Sequence, residues 1–159
     1  MKANVGLLAR LPAGATALPH LPHTRATSVA PPADELRSTA KTLAAIETLD
    51  PEETKGLLDE GKLLLIDVRE PAEFAVERIR GALLYPLSTF DASRVPDDGT
   101  RQVVLYCGAG KRSLAAAAKR LAAGNDKAAH MGGGITAWKR AGLPVIALSP
   151  ETGGPVESR

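Results

Sequence analysis

Two stretches of this sequence share one form, and they constrain the fold more than anything else in it. Leu63-Leu64-Leu65-Ile66 is a continuous apolar run ending at Asp67, and residues 101–107 (RQVVLYC) pass from a polar entry through an apolar body to a reactive end. A strand with one wet face alternates polar and apolar residues. A continuous run marks a strand buried on both faces, the condition of a parallel sheet lying under helices. Helix signals surround both runs. Asp50 can cap the first free amides of a helix, Pro51 suits its first position, and Glu53 can reach back as in a capping box. Leu57 and Leu58 supply the apolar face of that helix and Gly61 its stop. Residues 113–123 form an Ala-rich helix candidate closed by Gly124-Asn125, and residues 127–131 a shorter strand. Gly132-Gly133-Gly134 leads into a short helix around residues 137–141. Strand–loop–helix units in series imply an α/β sandwich whose strand ends carry the chemistry. No internal repeat is present.

Composition narrows the function classes. The chain has 159 residues and one cysteine, which excludes an internal disulfide framework, a Cys-x-x-Cys redox pair and a Cys-rich zinc site. A formal net charge of +2 gives no electrostatic case for a nucleic-acid surface. No apolar run approaches the roughly 18 residues of a membrane span. Only five aromatic residues occur, Phe74, Tyr85, Phe90, Tyr106 and Trp138, so the core is expected between them, filled mostly by Leu, Ile, Val and Ala.

The ends read differently. Residues 1–33 hold no Asp or Glu and five of the twelve prolines, a density that works against helix and sheet. Residues 1–40 are therefore expected as a flexible Pro/Ala-rich extension, with order beginning near residue 34 and the domain proper spanning 44–148. Lys2 before an apolar stretch, with Ala15-Thr16-Ala17 beyond it, resembles a secretory signal, but Arg10 and Pro12 interrupt it. The missing acids suit an organellar transit segment equally. A cytoplasmic location is the expectation, with export or an organelle left open by residues 1–33. His20 and His23 lack a third metal ligand beside them. Residues 149–159 are polar, with Gly153-Gly154-Pro155, and are expected to fray.

The cysteine sits where the chemistry is expected. Cys107 ends a strand, and Gly108-Ala109-Gly110-Lys111-Arg112-Ser113 leads into a helix. Two glycines permit a tight turn with amides facing its centre, the helix presents its positive end, and two cations stand beside it. Each of these favours a thiolate over a thiol. A nucleotide P-loop fails twice, because Leu105 stands where a glycine is needed and Arg112 where Ser or Thr is needed. A dinucleotide fingerprint fails at Ser113 and lacks an acid ending the next strand. Cysteine-dependent phosphatases also use a Cys loop closed by Arg, but four residues separate Cys107 from Arg112, one fewer than is usual there. The shorter loop makes a cradle better suited to one extra sulfur than to a phosphate.

With these residues in view the chain resembles a single-domain rhodanese, a sulfurtransferase. Leu65-Ile66-Asp67-Val68-Arg69-Glu70, Glu73-Phe74 and Ile79-Arg80-Gly81-Ala82 are similar to the family's first signature. Residues 107–112 followed by Ser113 resemble its six-residue active-site loop. Gly132-Gly133-Gly134-Ile135-Thr136-Ala137-Trp138 and Ala141-Gly142-Leu143-Pro144-Val145 resemble its C-terminal signature. Glu77-Arg78-Ile79-Arg80 departs from the usual Gly-His-Ile-Pro, and Gly108 stands where a larger polar residue is frequent.

The resemblance implies a three-layer sandwich with a mostly parallel central sheet and helices on both faces. It implies thiosulfate sulfurtransferase chemistry: Cys107 takes the sulfane sulfur of thiosulfate or a related small anionic persulfide donor and passes it to cyanide or to an external thiol or protein thiolate. No cofactor and no metal is needed. In this reading Cys107 is the nucleophile. The amides of Gly108, Ala109, Gly110, Lys111, Arg112 and Ser113 cradle the persulfide. Lys111 and Arg112 attract the donor, and Ser113 is most simply a helix cap. Asp67 and Arg69 line the rim or form an ion pair supporting the loop. Trp138 is a core anchor and His130 a strand residue, not a general base. A binding module without turnover, and phosphatase or arsenate reductase chemistry, are the alternatives.

Overall fold

The computed structural model describes residues 32–158. The expectations for residues 1–31, including the targeting readings and the His20/His23 pair, lie outside the described residues.

Five parallel strands form the central sheet. Helix α1 (Ala33–Ala44) precedes strand β1 (Ile46–Leu49), helix α2 (Pro51–Asp59) and strand β2 (Leu63–Asp67). Helix α3 (Pro71–Val76), strands β3 (Glu77–Arg78) and β4 (Leu83–Leu84), and two short 3-10 turns lead to strand β5 (Gln102–Tyr106). Helix α4 (Lys111–Ala122), strand β6 (Ala128–Met131), helix α5 (Gly134–Arg140) and strands β7 (Val145–Leu148) and β8 (Pro155–Ser158) complete the chain. The sheet order is β1-β6-β5-β2-β4, and every neighbouring pair is parallel.

The continuous apolar runs divide between two cores because successive side chains point to opposite faces. Leu64 and Ile66 of β2, with Val103 and Leu105 of β5, pack on one face with Ala116 and Ala117 of α4. Leu63 and Leu65, with Val104 and Tyr106, pack on the other with Ile135 and Trp138 of α5 and Leu57 and Leu58 of α2. Helices therefore cover both faces, and the three-layer sandwich with a mostly parallel sheet is the architecture observed. Trp138 is an anchor of the second core, 1% exposed, with its indole N–H donating to the Pro144 carbonyl at 2.9 Å.

The local signals act as their chemistry requires, with some shifts. Asp50 Oδ1 accepts the Glu53 amide at 2.7 Å, although the reciprocal bond from Glu53 does not form among the described residues. Gly61, at φ +67°, ends α2 by donating to Leu58 while Lys62 donates to Leu57, the paired bonds of a glycine stop. Helix α4 begins at Lys111, two residues before the expected start, and α5 at Gly134, three residues early. Helix α1 begins at Ala33, close to the expected start of order near residue 34, so residues 33–40 are helical where the Pro/Ala-rich extension was expected to be flexible. The polar tail also departs from expectation: residues 149–154 turn, and β8 pairs antiparallel with β7 from Val145–Ser158 to Leu148–Pro155. The backbone amides of an alternating edge strand found a partner there, which low hydrophobicity alone does not forbid. β3, β7 and β8 form a separate small antiparallel sheet.

Candidate active site

Three loops leave the C-terminal ends of β2, β5 and β6 and meet over the sheet. The loops after β5 and β6 meet backbone against backbone. The Ile135 amide donates to the Cys107 carbonyl at 2.8 Å and the Thr136 amide to the Gly108 carbonyl at 3.1 Å. The first free amides of α5 thus hold the carbonyls of the cysteine loop, and the loop's own amides are left to turn inward. Such an approach needs residues without Cβ. A Cβ on Gly134, which sits at φ +58°, would lie 2.1 Å from the Cys107 carbonyl oxygen. Gly110, at φ +92°, abuts the Gly133 amide, where a Cβ would come within 3.0 Å. The glycine triplet is therefore a turn with close backbone packing.

Cys107 lies at the centre of that loop and is 1% exposed. The Gly110 amide donates to its Sγ at 3.1 Å. Burial pushes the thiol pKa up. The Ser113 amide and hydroxyl, with the amides of Ala109 and Gly110, more than offset this and hold it below the ordinary thiol value. The two cations that the sequence sets beside the thiolate differ in their surroundings, and the Cys107 charge is, after Glu73, among the causes that raise the Arg112 pKa. Lys111 is exposed on the first turn of α4. Arg112 makes a two-pronged bond to Glu73 of α3, Nη1 to Oε2 and Nη2 to Oε1, each at 2.7 Å. The guanidinium holds the Glu73 carboxyl down to about 2, and Glu73 in turn raises the Arg112 pKa further. Glu73 Oε2 also accepts the Glu70 amide at 3.1 Å, so one carboxylate ties the start of α3 to the start of α4.

Ser113 is not the helix cap. Gly110 occupies that position, and Ser113, wholly buried on the first turn, donates its hydroxyl to the Gly110 carbonyl at 3.0 Å. Its Oγ also lies 3.2 Å from His130 Nδ1, and His130 Nε2 lies 3.2 Å from Thr48 Oγ1. His130 is a buried strand residue. Burial lowers its pKa, which keeps the ring neutral at neutral pH.

Asp67 and Arg69 do not form a rim. Both are buried, at 0% and 3% exposure. Arg69 Nε and Nη2 bond the Asp67 carboxylate at 2.7–3.0 Å, and Nη2 also bonds the Glu77 carbonyl at 2.7 Å. Desolvation works against the Arg69 charge, but the Asp67 partner outweighs it and the pKa is raised. The Arg69 guanidinium sits 5.7 Å from the Tyr106 ring centre, and the Tyr106 hydroxyl accepts the Ile79 amide at 3.3 Å. Burial, aided by Asp67, pushes the Tyr106 phenol up and keeps it neutral. The pair braces the strand end beneath the loop and faces no solvent. The structure thus sets the Gly110 amide on the sulfur and Ser113 on the Gly110 carbonyl, while Lys111 is exposed, Arg112 bonds Glu73, and Asp67 and Arg69 pair with each other in the interior. The sequence reading gave no role to Glu73 at the site, nor to the Thr48–His130–Ser113 chain. Glu70-Pro71 followed by Glu73 was a legible helix start, but its partner across the fold was not.

Comparison with known proteins bears on the family and the fold. A family model described as Rhodanese-like domain matches residues 50–141. A Sulfurtransferase of Allochromatium vinosum is 41% identical over 93 residues, covering 57% of this chain and 85% of that protein. The Probable adenylyltransferase/sulfurtransferase MoeZ of Mycobacterium tuberculosis is 41% identical over 106 residues, covering 64% of this chain. The chain spans only 26% of that longer relative. The crystal structure of a rhodanese-related protein from Thermoplasma volcanium superposes with a TM-score of 0.55 at 24% identity, covering 63% of this chain and 97% of that one.

Proposed function

The chain belongs to the rhodanese-like domain family, and we propose that it is a sulfurtransferase in which Cys107 carries the sulfur. The observation that carries the reading is the Gly110 amide on Cys107 Sγ at 3.1 Å, in a loop whose carbonyls are held outward by α5. The thiolate attacks the outer sulfur of thiosulfate or a small anionic persulfide. The donor's S–S bond breaks, sulfite or the donor thiolate leaves with the bonding pair, and Cys107 becomes a persulfide. An acceptor thiolate, or cyanide, then attacks the outer sulfur and Cys107 leaves as thiolate. The amides of residues 108–113 hold the negative charge as it moves to the outer sulfur. Exposed Lys111 draws the anionic donor. Arg112, committed to Glu73, holds the loop's shape. This chain has no second cysteine, so the acceptor thiol is external to it.

The test is thiocyanate formation from thiosulfate and cyanide. Wild-type protein turns over, and Cys107→Ser does not. Wild-type hydrolysis of p-nitrophenyl phosphate without thiocyanate formation would overturn the reading in favour of a phosphatase.

A further inference from the structure

Behind the loop lies a chain of side chains for which the sulfur transfer above has no use. The parallel register of β1 and β6 sets Thr48 opposite His130, and the first turn of α4 brings Ser113 to the other side of the ring. One atom fixes the protons. A carbonyl oxygen can only accept, so the Ser113 hydroxyl proton lies on its 3.0 Å bond to Gly110. Ser113 Oγ then accepts from the imidazole, Nδ1 carries the ring hydrogen, and Nε2 of the neutral ring accepts from Thr48. The opposite tautomer would draw the Ser113 proton to the ring and away from the loop. A bond donated into Ser113 Oγ also polarises that hydroxyl and strengthens it as a donor.

We propose that His130 is a positioning residue for the Cys107 thiolate. Its Nδ1–H keeps the Ser113 proton turned toward the loop, where the hydroxyl holds the carbonyl of Gly110, the residue whose amide donates to Cys107 Sγ at 3.1 Å. The inference deepens the sulfurtransferase reading and rests on it for its purpose, but the thiolate can be measured without sulfur transfer. The other charged groups about the loop are the Arg112–Glu73 pair, exposed Lys111 and the Asp67–Arg69 pair beneath it, and none of them bonds to the Thr48–His130–Ser113 chain.

The experiment is the pH dependence of Cys107 alkylation by iodoacetamide. His130→Leu removes the donor and should raise the midpoint by roughly half a unit to one unit, about three- to tenfold less thiolate below it. His130→Asn places an amide N–H where Nδ1–H was and should stay near wild type. Ser113→Ala should raise the midpoint by itself, and adding His130→Leu to it should raise it no further. Should His130→Leu not fold, His130→Gln takes its place, since its longer amide reaches toward Thr48 and leaves Ser113 without a donor. No shift in the donor-less variant, an equal shift with and without Ser113, or Asn behaving as Leu would each overturn the proposal. Absence of thiocyanate formation with these shifts intact would count against the sulfurtransferase reading alone.

Discussion

Single atoms decide whether the loop closes. Gly134→Ala puts a methyl 2.1 Å from the Cys107 carbonyl oxygen at a positive φ, so the backbone must move. Loss of roughly 2–4 kcal/mol of stability is expected, read as a lower urea midpoint, with slower alkylation of Cys107. Gly108→Ala meets only the end of the flexible Arg112 side chain at 3.4 Å and should cost far less. Equal losses would contradict the backbone-contact account. The buried Asp67–Arg69 pair makes a second residue-scale case. Asp67→Asn leaves a guanidinium uncompensated in the interior, and about 3–5 kcal/mol should disappear from the unfolding free energy. The Arg112–Glu73 pair is more than a third exposed on both sides, so Glu73→Gln should cost about 1 kcal/mol or less although its 2.7 Å contact is as short as that of the buried pair. The Gly134 contact was foreshadowed by the triplet itself. The Asp67–Arg69 burial was not, because two charges at a strand end read equally as rim or brace until the chain over them is known.

At the scale of elements, the buried strands were the most legible part. β2 and β5 carry their runs because both faces are covered, and no other arrangement makes such a run tolerable. The start of α4 was misread by two residues because Ser113 has the chemistry of a cap, whereas Gly110 reaches the left-handed conformation that turns the loop into the helix. β8 was missed because its stability comes from antiparallel pairing with β7 and not from burial, its four residues being exposed. Removing residues 149–159 takes away β8 without touching the central sheet. The melting temperature should fall by about 2–8 °C, corresponding to about 1–2 kcal/mol, while Cys107 alkylation is unchanged. Loss of Cys107 reactivity in that variant would show the small sheet to support the loop.

Across the whole molecule the same burial that shapes the site sets the pH dependence of stability. His130 is held neutral by desolvation, so the unfolded chain binds its proton first. Stability is full above the unfolded value of about 6.5 and is lost as pH falls below it. Glu73 adds a further loss as pH falls from about 4.5 toward 2. Cys107 acts in the same sense at higher pH. Its folded pKa lies below the unfolded value of 9.0, so stability rises with pH across that window, and Cys107→Ser should abolish the rise. Tyr106 reverses the trend above about 10, because its phenol stays protonated in the folded chain while the unfolded chain ionises. Denaturation midpoints between pH 2 and pH 11, wild type against Cys107→Ser, check these signs. The most direct test of the central claim is intact mass after incubation with thiosulfate and removal of excess donor. The account predicts one added sulfur on the wild-type chain, lost on adding cyanide, and none on Cys107→Ser. An unmodified wild-type chain, or an equal adduct on Cys107→Ser, would contradict it.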